Sequence, residues 1–247
     1  MATTVRRAGM DAALPLGAEV AGWTPPPRPA RQAMAGRHAV LEPLDPDRHC
    51  AELHAANLAD PAMWTYLPYG PFASEDAYRH WAESAATTDD PLFFAVRDAR
   101  SGRAGGAMSY LRIAPEAGSI EIGHIALSAG MQRRPAATEA MTLMIGWAFG
   151  AGYRRVEWKC NALNLASRRA AERLGLSYEG IFRQATVVKG RNRDTAWFAA
   201  IDSEWPALKA AYAAWLEPAN FDADGRQRLR LSDLTRPILA ARDPALA

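Results

Sequence analysis

The stretch WKCNALNLASRRAAERLGLSYEG (158–180) restricts the fold more than any other part of the sequence. It reads as the end of a buried strand, then a short helix, then the beginning of another strand. Asn164 is predicted to cap the helix by accepting a hydrogen bond from the Ser167 amide, and Gly175 to end the helix in the left-handed conformation. These structural roles leave the polar Ser167 and Arg168 unexplained. In α/β folds, ligands collect near such strand ends.

Strand-like and helix-like runs alternate through most of the chain. Helices are predicted where apolar residues recur at helical spacing or where a capping residue precedes the run. They begin near residues 45, 74, 137, 165 and 203. Strands are predicted at 38–44, 91–98, 104–114, 119–127, 153–160, 176–188 and 194–202. This order indicates one domain of the mixed α/β class (α+β), with helices on both faces of a sheet.

The two ends of the chain differ from this pattern. Residues 1–36 include GWTPPPRPARQ, whose prolines disfavour helix and sheet, so they are predicted to form a loosely held extension. Few apolar side chains there are expected to be buried. Residues 218–247 are predicted to be a tail that wraps the domain or frays. The domain itself is expected over 37–217.

Charge and composition exclude several classes of protein. The net charge of +2 is too small for a general nucleic-acid binder, and no apolar run is long enough to cross a bilayer. Arg6 and Arg7 are not followed by a continuous apolar stretch, so the N-terminus is a poor secretion signal. Cys50 and Cys160 are far apart and lack metal-ligand spacing. We therefore expect a cytoplasmic protein without a metal.

Four motifs occur in an order that is similar to a known family. They are IEIGHIAL (120–127), QRRPAATEAM (132–141), NLASRRAAERLGLSYEG (164–180), and FRQ with GRNRD (182–194). Together they resemble the GNAT superfamily of N-acetyltransferases, and within it the branch that acetylates the N-terminal alanine or serine of ribosomal proteins. The resemblance implies a single GNAT domain with a mixed, mostly antiparallel sheet of about seven strands. It also implies direct transfer from acetyl-CoA to an amine, with no acyl-enzyme.

The same resemblance implies where acetyl-CoA binds. The strand Glu121–Leu127 would lie along the pantetheine arm, and the following loop would hold the phosphates on backbone amides and basic side chains. Pro135 stands where the family commonly has glycine, so the loop loses one N–H donor. The implied contacts are Ile125, Ala126, Leu127, Gln132, Arg133, Arg134, Ala136, Ala137 and Thr138.

The helix after Asn164 would lie near the thioester. By resemblance, Asn164 and Arg168 contact the cofactor, and the Ser167 hydroxyl protonates the departing thiolate. Many relatives use a tyrosine on this helix, but none occurs at 168–174. Ser167 as an ordinary surface residue remains an alternative.

The general base is left open between two carboxylates. Glu121 lies on the cofactor strand, Glu179 lies on the strand after the helix, and either would act through a water relay. An N-terminal amine has a pKa of about 7.7–8.0 and scarcely needs a strong base. His124 is expected to alternate to the face opposite Glu121 and to be structural.

The acceptor wall is expected in MWTYLPYGPF (63–72). Trp64, Tyr66 and Tyr69 would line it, although aromatic residues that fill the core explain the run equally well. A basic cluster would contact phosphates or an acidic partner, or would be a solvated surface. Its members are Arg168, Arg169, Arg173, Arg183, Lys189, Arg191 and Arg193.

The predicted function is transfer of acetyl to a primary amine, on a protein N-terminus or a small molecule. The alternative is a protein of the same fold that binds acetyl-CoA without turnover, a possibility that Pro135 favours. A transferase with Cys160 as nucleophile is weaker, because no histidine is recognisably paired with it. The sequence leaves open the identity of the amine and the oligomeric state.

Overall fold

The computed structural model describes residues 14–223 and 225–246. Eight strands form one sheet. Their bounds are β1 Met34–Ala35, β2 Ala39–Pro43, β3 Leu92–Asp98, β4 Ala104–Ala114, β5 Ser119–Leu127, β6 Arg155–Asn161, β7 Ser177–Val188 and β8 Arg191–Ile201.

Six α-helices accompany the sheet within the described residues. Their bounds are α1 Pro46–Asn57, α2 Glu75–Thr87, α3 Pro135–Gly150, α4 Leu165–Arg173, α5 Trp205–Leu216 and α6 Leu231–Thr235. Sequence signals explain two of the starts. Asp45 caps α1 by accepting from the amides of Asp47 and Arg48, and Ser74 caps α2 by accepting from the Ala77 amide.

The strand order is β1-β2-β3-β4-β5-β6-β8-β7. Every neighbouring pair is antiparallel except β5 and β6, which are parallel. The expected mixed, mostly antiparallel sheet is therefore confirmed. The structure has one strand more than the seven or so expected, since two residues of the predicted N-terminal extension pair as β1 with β2.

Hydrophobic cores lie on both faces of the sheet, in agreement with the helices predicted for both faces. On β3, Leu92, Phe94 and Val96 pack with α3 in the larger core. The intervening Phe93 and Ala95 pack with α1 and α2 in the smaller one. A strand that is buried on both faces exposes successive side chains to opposite cores.

A wedge opens between β5 and β6, and it positions the site. The two strands pair only from Ser119 to Glu121 and from Arg155 to Glu157, and then they separate. β5 continues to pair with β4 as far as Leu127. The separation leaves one edge of β5 without a strand partner beyond Glu121. The resemblance places the pantetheine arm along this edge.

The N-terminal segment is held more firmly than the sequence suggests. Pro26 is buried, and the hydroxyl of Tyr153 donates a hydrogen bond to the Pro27 carbonyl at 3.1 Å. Arg28 donates to the carbonyl of Ile113 at 3.1 Å. The expectation of few buried side chains holds for residues 14–36, where Pro26 alone is buried, and it is these two hydrogen bonds that the sequence did not predict. Arg6 and Arg7 lie outside the described residues.

The C-terminal segment wraps the domain, which is one of the two outcomes expected for it. Leu231 and Thr235 are fully buried, and Asp243 is 1% exposed. Thr235 donates its hydroxyl to the Arg173 carbonyl at the end of α4. The division of the chain at residues 36 and 217 stays a prediction.

Candidate active site

A cavity of about 300 Å³ occupies the wedge between β5 and β6. Its walls come from six parts of the chain: β4, β5, β6, the start of α4, the segment after Pro61, and the hairpin of β7 and β8. Ser167, Asn164 and Glu121 all line it. The structure therefore brings the predicted acid, the predicted helix cap and one predicted base to a single cavity.

Asn164 caps α4 as predicted. Its Oδ1 accepts a hydrogen bond from the Ser167 amide at 3.1 Å. Gly175 follows the helix with a φ of 84°, in the left-handed region that an L-residue rarely adopts. These two residues set the length of α4 and hold Ser167 in its first turn, next to the end of β6.

The Ser167 hydroxyl has a defined orientation. Its oxygen accepts a hydrogen bond from Trp158 Nε1 at 2.9 Å. Since the acceptor role is taken by the indole, the hydroxyl proton points elsewhere. The adjacent Cys160 thiol lies close enough for that hydroxyl to lower its pKa, although burial has the larger effect and raises the pKa overall. Ser167 can therefore donate a proton to a sulfur in this cavity.

Glu121 is a buried carboxylate with one oxygen still free. Its Oε2 contacts Arg112 at 2.7 Å and Lys159 at 3.0 Å. Its Oε1 makes no hydrogen bond to any residue that the structure describes. Burial raises the pKa of this carboxyl and outweighs the two cations, which lower it. A carboxylate of raised pKa with a free oxygen is suited to accept a proton.

Glu179 does not meet the expectation of a base. Its side chain pairs with both terminal nitrogens of Arg155, at 2.7 and 2.5 Å, and it does not line the cavity. A bulge between Tyr178 and Gly180 alters the register of β7 with β8 at this residue. Sequence spacing could not show that Arg155 lies opposite.

His124 lines the same cavity as Glu121, contrary to the strict alternation expected from the sequence. Its φ of 52° interrupts the extended backbone of β5. Its ring stacks on Tyr69, with centroids 5.5 Å apart, and Nδ1 lies 3.2 Å from the Tyr69 hydroxyl. Burial, with the charges of Arg112 and Arg193, lowers the pKa of His124 to about 4. The imidazole is therefore neutral at pH 7.

The predicted phosphate loop ends at an open helix terminus. Arg134 is the N-cap of α3, and its side chain makes no capping hydrogen bond. First-turn amides such as those of Ala136 and Ala137 have no carbonyl acceptor within the helix, and the helix dipole favours an anion there. Pro135 occupies the first helical position, where its missing N–H costs little. This terminus fits the phosphates of acetyl-CoA.

Two other loop residues have protein partners. Gln132 donates its side-chain amide to the carbonyl of Leu127 at 2.9 Å, which joins the loop to the end of β5. Thr138 is buried, and its hydroxyl accepts from Arg173 at 3.1 Å. Ile125 lines the cavity, whereas Ala126 is buried in the smaller core.

Arg168 was wrongly expected to contact the cofactor with its side chain. The guanidinium is buried and paired with Asp243, with Nε 2.6 Å from Oδ2. It also donates to the Ala162 carbonyl at 2.7 Å. The partner lies 75 residues further along the chain, so local sequence could not reveal it.

The aromatic segment after Pro61 divides between wall and core. Tyr66 lines the cavity, and its hydroxyl donates to the Leu163 carbonyl at 3.3 Å. Trp64 is 3% exposed and packs in the smaller core, and Tyr69 reaches the site only through His124. The core interpretation therefore fits Trp64, and the acceptor-wall role of Tyr66 stays a prediction. Lys189 donates to the Trp64 carbonyl at 2.7 Å and joins the hairpin to this segment.

Within the described residues, no group of three or more His, Cys, Asp or Glu side chains could hold a metal ion. None of the helices in residues 14–223 and 225–246 has the length and apolar character needed to cross a membrane.

Comparisons with known proteins agree with this geometry. The family model "Acetyltransferase (GNAT) domain" matches residues 38–177. A crystal structure of a GCN5-related N-acetyltransferase from Brucella melitensis is 49% identical, with a TM-score of 0.86, over 88% of this chain and 100% of that one. A GNAT-family structure from Chromobacterium violaceum is 41% identical, with a TM-score of 0.74, over 78% and 98% of the two chains. None of the curated proteins compared with the chain matches it.

The splayed sheet and these similarities define an N-acetyltransferase. The chain belongs to the GNAT acetyltransferase family. A candidate ribosomal-protein-serine acetyltransferase from Vibrio cholerae shares the fold at 16% identity, with a TM-score of 0.60, over 69% of this chain and 97% of that one. That similarity concerns the fold alone, so the branch within the family stays a prediction.

Proposed function

We propose that this enzyme transfers the acetyl group of acetyl-CoA directly to a primary amine, with Glu121 and Ser167 as the proton acceptor and donor. One observation carries the proposal. Glu121, with a free carboxylate oxygen, and Ser167, whose hydroxyl lies beside the Cys160 thiol, line the same cavity in the wedge between β5 and β6. Direct transfer needs both groups within reach of one reacting centre.

The residues divide the work as follows. Bound acetyl-CoA supplies the activated acetyl group, with its phosphates at the start of α3 and its arm along the unpaired edge of β5. Glu121 takes a proton from the attacking amine, directly or through a water. The new bond joins nitrogen to the acetyl carbon, and the carbon–sulfur bond breaks. The Ser167 hydroxyl passes a proton to the departing sulfur and takes one back from water.

Thiol release from acetyl-CoA tests this assignment, with a panel of small amines and of peptides that begin with alanine or serine. We expect Glu121→Gln to lower kcat/KM and to remove the acidic limb of its pH profile, because the limb reports protonation of the carboxyl. Glu179→Gln is the matched control, since that carboxylate lies outside the cavity. An unchanged profile in Glu121→Gln would exclude Glu121 as the base.

The alternative of a silent cofactor-binding protein gives a different result. Acetyl-CoA would then raise the thermal midpoint, but no amine in the panel would release thiol. A protein N-terminus as the acceptor and a cytoplasmic place of action remain predictions from the sequence.

A further inference from the structure

Arg193 is a cation on the cavity wall without a protein partner. It lies on β8, is half-buried, and lines the cavity. Its Nε is buried without a hydrogen bond, and within residues 14–223 and 225–246 its guanidinium forms no ion pair. Other arginines near the site differ. Arg112 pairs with Glu121, Arg155 with Glu157 and Glu179, and Arg168 with Asp243.

Electrostatic effects place this guanidinium near the reacting groups. The charge of Arg193 helps to lower the pKa of His124. In turn, Cys160 and Glu121 raise the pKa of Arg193, although burial lowers it overall. Cys160 lies beside Ser167, at the end where sulfur departs, and Glu121 lies where the amine is expected. Arg193 therefore lies within electrostatic range of both residues, on the wall of the cavity that they share.

The charges on the cavity wall are unbalanced. Arg112, Lys159 and Arg193 are positive, Glu121 is the single carboxylate among the lining residues, and His124 is neutral. Lys159 also pairs at 2.7 Å with Glu157, which does not line the cavity, so the uncompensated charge is that of Arg193. A simple alkylamine is itself a cation before it reacts, so it would be repelled by this excess. An unpaired, partly desolvated guanidinium is also costly for the protein. A carboxylate on the acceptor would offset the repulsion of the amine and would also pair with the guanidinium, through two parallel N–H···O bonds.

We propose that the acceptor amine carries a carboxylate a few bonds from its amino group, and that Arg193 binds this carboxylate. The inference rests on the proposed acetyl transfer and specifies its substrate class. The short separation between the amino group and the carboxylate follows from the size of the cavity. A volume of about 300 Å³ would have to hold the amine, the carboxylate and the reacting end of the donor. That is roughly ten times the ~30 Å³ that one water occupies in the liquid.

Two sources could present this chemistry, a free amino acid or a peptide with an acidic residue near its N-terminus. Two matched pairs distinguish them. The first is L-alanine and L-alaninamide. The second is a C-terminally amidated peptide that begins Ala-Asp and its Ala-Asn counterpart. Each pair keeps a primary amine and changes the charge beside it. Because the carboxylate also raises the pKa of the amine, the rates are compared per unprotonated amine.

The test measures kcat/KM by thiol release for the wild type, Arg193→Met and Arg191→Met. Arg191 is exposed on the same hairpin, so its substitution controls for loss of one positive charge. We expect the wild type to prefer the charged member of at least one pair. Arg193→Met should lower kcat/KM for that member by roughly 10- to 100-fold, as for a charge-assisted hydrogen bond. The neutral member should change by no more than about twofold.

Three outcomes would overturn the inference. Equal losses on both members of a pair would mean that Arg193 acts on the reaction rather than on the acceptor. No loss on either member would mean that it has no role. A wild type that acetylates neutral and charged members equally well would retain acetyl transfer and lack the carboxylate site.

A binding measurement keeps the test decisive if no amine is acetylated. Titration calorimetry with the same four compounds, in the presence of CoA, reports binding without turnover. In at least one pair, the member with the carboxylate should bind the wild type more tightly than it binds Arg193→Met. The neutral member of that pair should bind the two proteins equally. That result would support the site although acetyl transfer had failed. No binding of either carboxylate to the wild type would overturn it.

Discussion

At the scale of single residues, the Ser167 hydroxyl lies between the Trp158 indole and the Cys160 thiol. Its oxygen accepts the Trp158 indole N–H, and the hydroxyl lies beside the Cys160 thiol, in the cavity proposed to hold the departing sulfur. We expect Ser167→Ala to lower kcat by on the order of 10²-fold, the low end for a general acid, because a thiol leaves readily. Affinity for acetyl-CoA should change little, since the interaction strengthens only as charge builds on sulfur.

The control for this prediction is Trp158→Phe. It removes the indole donor and leaves the hydroxyl, so kcat should stay near that of the wild type. Single-turnover and steady-state rates at saturating substrates measure both variants. Full activity in Ser167→Ala would identify solvent as the source of the proton.

His124 provides a prediction about pH and stability. Its pKa is lowered to about 4 in the folded protein from about 6.5 when unfolded, so between these values the unfolded chain binds more protons. Stability from this group is present above pH 6.5 and is lost as the pH falls toward 4. The free energy of unfolding should therefore decrease by about 2 kcal/mol between pH 8 and pH 5.

Urea unfolding of the wild type and of His124→Gln isolates this contribution. Other groups titrate in the same range, and the raised pKa of Glu121 acts with the opposite sign. The difference between the two proteins, measured at each pH, removes these shared effects. A difference that does not vary with pH would contradict a depressed pKa for His124.

At the scale of elements, α4 depends on the C-terminal tail. Asp243 is buried and pairs with Arg168 on α4. Asp243→Ala would leave a buried guanidinium unpaired, so we expect the free energy of unfolding to decrease by about 3–5 kcal/mol. Asp233→Ala is the matched control, because Asp233 is an exposed acidic residue of the same tail. Equal stability of the two variants would mean that the tail does not support α4.

At the scale of the whole molecule, the N-terminal segment is part of the fold. Removal of residues 1–30 would expose surface beneath Pro26 and leave the Tyr153 hydroxyl without its acceptor. Water can then bond to that hydroxyl, so the lost hydrogen bond alone contributes about 0.5–1.5 kcal/mol, and we expect at least that loss in denaturant unfolding. Tyr153→Phe removes only the hydroxyl and measures its share. A truncated protein as stable as the full chain would show that these contacts contribute nothing net.

The sequence by itself determined the features that depend on neighbours along the chain. The Asn164 cap, the Gly175 terminus and the alternation of β3 between two cores follow from local hydrogen bonds and side-chain periodicity. The order of the motifs was sufficient to indicate the family. Ser167 and Glu121 were found in the same way, as residues at fixed places in those motifs.

The tertiary structure decided which charged groups are free, because an ion pair depends on residues that are distant in sequence. Arg168 pairs with Asp243 and Glu179 with Arg155, whereas Arg193 has no partner among the residues that the structure describes. All three belong to the region that the sequence singled out. The backbone of β5 turns at His124, with a positive φ that periodicity does not encode, and it brings that ring into the cavity. Local sequence specifies elements and caps, whereas the packing of those elements decides which side chains remain available for chemistry.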